Sequence, residues 1–276
     1  MRLGISSNLG LTNAEEWGQK MSALGCKSVV FPLDCKAPIE QVDAFVAAAK
    51  KYDLTIAEVG IWRNAIDADK DKRKANLEYS INQLKLADYI GAKCCVNVSG
   101  ALMGERWDGP HRANYSMKAW DETVSMAQTV IDAANPTNTY YALEPMPWMI
   151  PSNPKEYLAL IKLIDRPQFA VHMDIINMIC TPKRYFFGDE FMKQCFSLLG
   201  PYIKSCHLKD VHLKSDFTFQ LEECACGEGE FNLELYAELA SCVSGDMPMI
   251  IEHLKSDDEY EGSIAYVKNR LSKYIV

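Results

Sequence analysis

The 276-residue sequence has no apolar run approaching the about 18 residues that a membrane helix requires. Its first residues, MRLGISSNLG, carry neither the apolar stretch nor the cleavage pattern of a signal peptide. Both absences lead to the expectation of a cytoplasmic protein with no membrane partner. No G-x-G-x-x-G follows the first strand-like run, where SSNLGLTN stands instead, so the dinucleotide fingerprint is missing. There is no P-loop and no G-x-S-x-G nucleophile elbow. Positive charge is in deficit: 29 Lys and Arg against 37 Asp and Glu give a net charge of −8. Such a surface repels polyanions and argues against nucleic acid as a partner. The longest basic cluster, Lys70 to Lys74, is interrupted by Asp71 and reads as a solvated helix face. The ten cysteines lack regular spacing and read as reduced thiols packed as small hydrophobes. Cys224 and Cys226 form one C-x-C without a matching second pair, a weak zinc signal.

What is present is a composition able to bury a large core, 48% hydrophobic and 24% charged, with no low-complexity tract. Eight short runs rich in β-branched and aromatic residues fall at 3–8, 28–33, 54–61, 94–99, 140–145, 169–174, 203–208 and 247–253. Helical spacing separates them. Thr12 or Asn13 caps AEEWGQKMSALG, which Gly25 ends, and Pro38 opens the next helix. Further helices are expected over 69–90, stopped by Gly91, and over 117–134, stopped by Asn135-Pro136. Pro154 opens another, shorter ones fall near 188–199 and 232–242, and the last spans roughly 256–274. Eight strand–helix units without a break in composition predict an α/β fold, a (β/α)8 barrel forming a single domain over 1–276. A doubly wound open sheet is the alternative. Two long connections, 100–117 and 211–231, follow strands and therefore belong to the face where barrels build active sites. The first is either a lid over a substrate or only a long loop.

The last four runs each close on a side chain able to bind a metal: Glu144 in YYALEPMP, Asp174 in FAVHMDII, His207 in IKSCHLKD and Glu252 in MPMIIEHL. Burying a carboxylate costs several kcal/mol unless it is paired or metal-bound. Strand ends of a barrel converge on one pocket, so these four are expected to share a site. Three oxygen donors and one imidazole suit one divalent ion, Mn2+ first, with Mg2+, Co2+ or Zn2+ as alternatives.

The L-E-P, M-D-x-x-N, H-L-K-D, G-E-G-E-F-N and terminal E-H segments, in this order, resemble the xylose isomerase-like TIM barrels. That family includes sugar and sugar-phosphate isomerases and epimerases, inosose dehydratases and endonuclease IV. The resemblance covers nearly the whole chain. It implies that Glu144, Asp174, His207 and Glu252 hold one metal. It further implies that Glu144 and Glu252 are the catalytic pair, one removing a proton beside a carbonyl and the other returning one. Two departures from the family's epimerases stand out. Asn177 occupies the place of a histidine, and Lys209, Asp210 and His212 occupy a stretch that usually carries an arginine. Five histidines are too few for the three-metal site of endonuclease IV.

Other residues point to the same rim. Glu58, Trp62, Asn97, Trp148, His172, Asn177 and Lys209 are candidate substrate contacts. Trp62 and Trp148 either stack on a sugar or fill the core. His172, two residues before Asp174, either touches substrate or is a buried, hydrogen-bonded histidine. Lys209 either meets an anionic substrate group or pairs with Glu252 or a loop acid. His253 is expected to point away from the site into the helix layer. The expected function is a metal-dependent isomerase or epimerase of a small keto sugar, with an enediolate formed by proton abstraction. A carbon–oxygen lyase of the same barrel type, an inosose-type dehydratase or an enzyme eliminating across a 3-keto sugar, is the alternative. A non-catalytic sugar-binding barrel is the second. The resemblance also allows a homo-oligomer.

Overall fold

The computed structural model describes residues 1–276. Its strands are β1 (Arg2–Ile5), β2 (Ser28–Val30), β3 (Thr55–Gly60), β4 (Cys94–Asn97), β5 (Tyr141–Leu143), β6 (Phe169–Met173), β7 (Ile203–Leu208), β8 (Asp210–Leu213), β9 (Leu221–Cys224) and β10 (Pro248–Ile251). Strands β1 to β7 pair in chain order, all parallel, and β10 closes the ring between β7 and β1. The open-sheet alternative is thereby excluded. Strands β8 and β9 stand apart as an antiparallel hairpin that starts at Asp210 and occupies the first half of the 211–231 connection, for which the sequence predicted no elements.

Helix boundaries follow local chemistry. Helix α1 (Ala14–Leu24) starts at Asn13, whose side chain accepts from the Glu15 and Glu16 amides, and ends at Gly25 with φ of 85°. Pro38 opens α2 (Ile39–Lys51). Asp69 caps α3 (Lys70–Ile90), Ser116 caps α4 (Met117–Ala134), and Asn153 with Pro154 opens α5 (Pro154–Ile164). Two short helices, α6 (Ile175–Met178) and α7 (Pro182–Phe186), follow β6 where none was expected. The ring is completed by α8 (Gly188–Leu199), α9 (Leu233–Val243) and α10 (Asp257–Arg270).

Each strand has two faces with different content. In β6, Phe169, Val171 and Met173 join the large core between strands and helices, where Trp17 and Phe45 meet elsewhere as a tilted aromatic pair with centroids 5.3 Å apart. Inside the barrel the side chains are small or polar. Cys94, Val96 and Ala142 form a separate apolar cluster, and Ser28, Glu58, His172, Ser205 and His207 are buried. Gly4 is needed here, because a Cβ would stand 2.1 Å from the Ser28 carbonyl oxygen. The ladders are shorter than the apolar runs. They stop at Ile5, Val30, Asn97, Leu143 and Ile251, and the residues that follow bend away to form the rim. Trp62 and His253 do so with positive φ, 50° and 60°, a conformation that costs a non-glycine residue about 1–3 kcal/mol.

Candidate functional site

Three of the four proposed ligands occupy the same structural position. Glu144, Asp174 and Glu252 are the first residues beyond β5, β6 and β10, while His207 lies within β7. Asp174 also caps α6 through the Asn177 amide, 2.9 Å away. All four side chains are buried, and one donor atom from each lies within 4.8 Å of the others. Nδ1 of His207 is 2.8 Å from Glu252 Oε1, 3.4 Å from Glu144 Oε1 and 3.8 Å from Asp174 Oδ2.

Three carboxylates crowded this closely require positive charge. Burial and the adjacent Glu252 push the Glu144 carboxyl up to about 7. Burial also works against ionised Glu252, but the charges of His207 and Lys209 outweigh it and hold that carboxyl below its ordinary range. Asp174 behaves likewise, with Lys209 the larger influence. His207 is the mirror case: burial disfavours its charge, yet Glu252, Glu58 and Glu144 raise it well above its ordinary value. Lys209 Nζ lies 2.8 Å from both Asp174 Oδ2 and Glu252 Oε1. These contacts, with His207 Nδ1 at 2.8 Å from Glu252 Oε1, are ion pairs that leave both oxygens with unused acceptor capacity. Buried, converging carboxylate oxygens with that capacity, and an imidazole nitrogen among them, fit a divalent cation.

A second layer lies beneath. Glu58 Oε2 is 3.3 Å from His207 Nε2, the ring nitrogen that faces away from the carboxylates. The other Glu58 oxygen accepts from Ser205 Oγ and lies 3.5 Å from His172 Nδ1. Burial disfavours the Glu58 charge, but His172 and His207 outweigh it and lower the carboxyl. The His172 ring meets His207 edge-on at 4.0 Å, and burial followed by the His207 charge lowers it to about 4. His172 is therefore neutral, fully buried and outside the cavity wall, which corrects its expected contact with substrate. Glu58 reaches the cavity wall, yet its oxygens are engaged by His207 and Ser205. That is the arrangement by which an outer carboxylate fixes the tautomer of a ligating histidine.

Above the four donors opens a cavity of about 870 Å³. Trp62, Trp148 and Asn177 line it, in the place the sequence reading assigned them. Asn177 bridges the site, donating from Nδ2 to Glu144 Oε1 at 2.7 Å and accepting from Lys209 at 3.1 Å. Lys209 does not reach the wall. It is the buried partner of Asp174, Glu252 and the loop acid Glu223, the last at 3.4 Å, so its reading as a substrate contact gives way to the ion-pair reading. Asn97 is also withdrawn, because both its amide atoms hold the Arg63 backbone, at 3.1 and 2.9 Å. His253 reverses its expected direction. Left-handed backbone turns it onto the cavity wall, where Nδ1 meets Glu223 at 2.9 Å.

The long connections supply the remaining wall. Arg106, Trp107 and Asp108 come from 100–117, pinned by the Trp148 indole donating to the Asp108 carbonyl at 2.7 Å. Phe219, Leu221 and Glu223 come from the β8–β9 hairpin. Asp210 anchors that hairpin. Its carboxylate accepts from the amides of Val211, Gly227, Gly229 and Phe231 at 2.9 to 3.2 Å. A Cβ on Gly229 would stand 2.2 Å from Asp210 Oδ1, so the H-L-K-D and G-E-G-E-F-N segments are two halves of one joint. Glu223 escaped the sequence reading because hairpin register, not spacing from a motif, brings it to the site. Cys224 is half-buried and Cys226 buried, and neither joins a group of potential metal donors.

No curated protein matches the sequence. Among solved structures, 3-keto-D-glucoside 4-epimerase from E. coli is similar, with a TM-score of 0.73 and 16% identity, covering 98% of this chain and 99% of that one. The probable 3-DHS dehydratase of petrobactin synthesis from Bacillus anthracis is similar, with a TM-score of 0.75 and 15% identity, covering 98% and 100%. A Mycobacterium smegmatis barrel solved in complex with magnesium has a TM-score of 0.72 and 17% identity, covering 100% and 98%. At these identities the likeness concerns the fold. The sequence itself matches the description "Xylose isomerase-like TIM barrel" over residues 19–270. With the closed parallel ring already described, the chain therefore belongs to the xylose isomerase-like TIM barrel family.

Proposed function

We propose that this protein is a metal-dependent isomerase or epimerase of a small keto sugar or sugar derivative. The observation that carries the reading is the convergence of Glu144, Asp174, His207 and Glu252, three of which (Glu144, His207 and Glu252) reach the wall of the large cavity. These four would hold one divalent cation, Mn2+ as first choice, which when bound polarises the carbonyl oxygen of a substrate. Glu144 and Glu252 both reach the cavity wall, so each has access to a substrate carbon as well as to the shared donor shell. One takes the proton beside the carbonyl and the other returns it. The Asn177 amide fixes the Glu144 carboxylate, and Lys209 does the same from beneath Glu252.

The test is solvent deuterium exchange at the carbon beside the carbonyl of a ketose such as fructose. The Mn2+-loaded protein should catalyse it, and Glu144→Gln should abolish it. Undiminished exchange in that variant removes Glu144 from the role of base.

Elimination is the second reading, favoured by His253. This imidazole lines the cavity 3.7 Å from Glu252 and is hydrogen-bonded to Glu223. The Glu223 bond raises its pKa against the effect of burial, so it is a proton donor placed for a departing oxygen. Product NMR separates the two readings, because loss of water or of an aglycone excludes simple isomerisation. Metal analysis addresses the non-catalytic alternative: a protein that neither retains a metal nor gains stability from Mn2+ favours it.

A further inference from the structure

Asn177 and Lys209, two departures from the family's epimerases, are bonded to each other: Lys209 Nζ donates to Asn177 Oδ1 at 3.1 Å. The ammonium is buried and has three further oxygens close by. Two of them, Asp174 Oδ2 and Glu252 Oε1, each 2.8 Å away, belong to residues of the metal-donor group. The third, Glu223 Oε1 at 3.4 Å, does not, and neither does Asn177 Oδ1. Glu144 Oε1 stands farther off, at 4.0 Å.

A divalent cation and this ammonium therefore draw on the same two carboxylates. The lysine has already taken part of the negative charge that would attract the ion. Two cations sharing acceptors in a buried site also repel each other far more strongly than they would in water. Lys209 is 2% exposed, so its charge cannot retire to solvent. What it can do is lean on the two acceptors that the ion leaves alone. Glu223 suits that part. It carries a full charge, it comes from β9 rather than from the barrel ring, and its oxygens are divided, Oε1 to Lys209 and Oε2 to His253 at 2.9 Å. Asn177 suits it too, because its carbonyl accepts from an ammonium, which an imidazolium at that place could not do.

We infer that Lys209 is a tethered counter-ion that competes with the divalent cation for Asp174 and Glu252, and that shifts towards Glu223 and Asn177 as the cation binds. The lysine thereby holds the affinity of the site down, so that its ion exchanges, and it ties ion binding to the hairpin that carries Glu223. The inference rests on the metal-dependent reading above and adds what opposes the metal.

Equilibrium dialysis of the full chain against Mn2+ tests it without substrate or turnover. Lys209→Met should bind Mn2+ at least about tenfold more tightly than the parent, because the competing charge is gone. A lysine that only held the ligands in place would give the opposite sign. Glu223→Gln should weaken binding by about threefold or more in the parent and by less than about twofold in the Lys209→Met background, since Glu223 acts by receiving the ammonium. Circular dichroism confirms that the variants fold. If Lys209→Met does not, Lys209→Gln, which keeps a donor for the carboxylates, takes its place with the same expected sign. Weaker or unchanged binding in the lysine variant overturns the inference. So does a Glu223→Gln variant that loses nothing in the parent, or that loses as much in both backgrounds and so attracts the ion directly. If the parent binds Mn2+ and these signs fail, only the competition is lost. If neither the parent nor the lysine variant binds Mn2+ at millimolar concentration, the metal-dependent reading fails and this inference with it.

Discussion

Two buried clusters share His207 and differ in everything that follows from it. Above the ring, Glu144, Asp174 and Glu252 surround Nδ1; below it, Glu58, with Ser205 and His172, faces Nε2. Both groups have the residue types and the proximity of a metal site. In the lower one the Glu58 oxygens are satisfied by Ser205 and His207. In the upper one Asp174 Oδ2 and Glu252 Oε1 keep open acceptor capacity, and Glu144 and Glu252 open onto the cavity; in the lower one the unpartnered atoms are the His172 ring nitrogens, which do not reach it. Proximity and burial alone therefore do not identify a metal centre. Carboxylate oxygens with open acceptor capacity beside the cavity do.

Substitutions can break this contrast. Asp174→Asn should have the largest effect on Mn2+ affinity, above the about 100-fold that bounds the loss of an outer-layer partner. Equilibrium dialysis reads it, and a variant that binds as tightly as the parent ends the assignment of the upper cluster. Lys209→Met should destabilise the metal-free protein by about 3–5 kcal/mol, because two buried carboxylates lose their counter-charge. Denaturant unfolding in the presence of chelator shows this, and added Mn2+ should recover part of the loss. Glu58→Gln should weaken Mn2+ binding by about 10- to 100-fold without removing a ligand, through the weaker acceptor behind Nε2. If its effect equals that of Asp174→Asn, the lower cluster is itself ligating and the contrast fails. His172→Gln should have the smallest effect, below about tenfold on affinity, because neither ring nitrogen has a hydrogen-bond partner to lose.

The ring of eight strands was legible because each strand's outer face is a run of large apolar residues, as in Phe169, Val171 and Met173. The upper donors were legible because they stand where such runs end. The lower layer was harder to read. Period-two alternation placed Glu58 and His172 inside the barrel, but which atom faces which depends on neighbouring strands, such as Ser205 beside Glu58. His253 shows the limit most clearly. Alternation after Glu252 sends it outward, and a left-handed turn that spacing does not encode sends it inward. Asn97 fails for a different reason: a strand-end amide serves a neighbouring loop's backbone as readily as a ligand.

The joint at Asp210 bears on how this molecule can change over generations. One carboxylate gathers both ends of an excursion of some twenty residues, and the barrel's hydrogen-bond ring passes it by. Such a segment can be lengthened, shortened or exchanged between lineages while the four donors of the floor stay in place, as long as a carboxylate remains where Glu223 meets Lys209 and His253. The cavity's far wall can thereby vary with little change at its floor. A library confined to 212–222, with Asp210, Glu223, Gly227 and Gly229 untouched, is the natural place to look for altered selectivity.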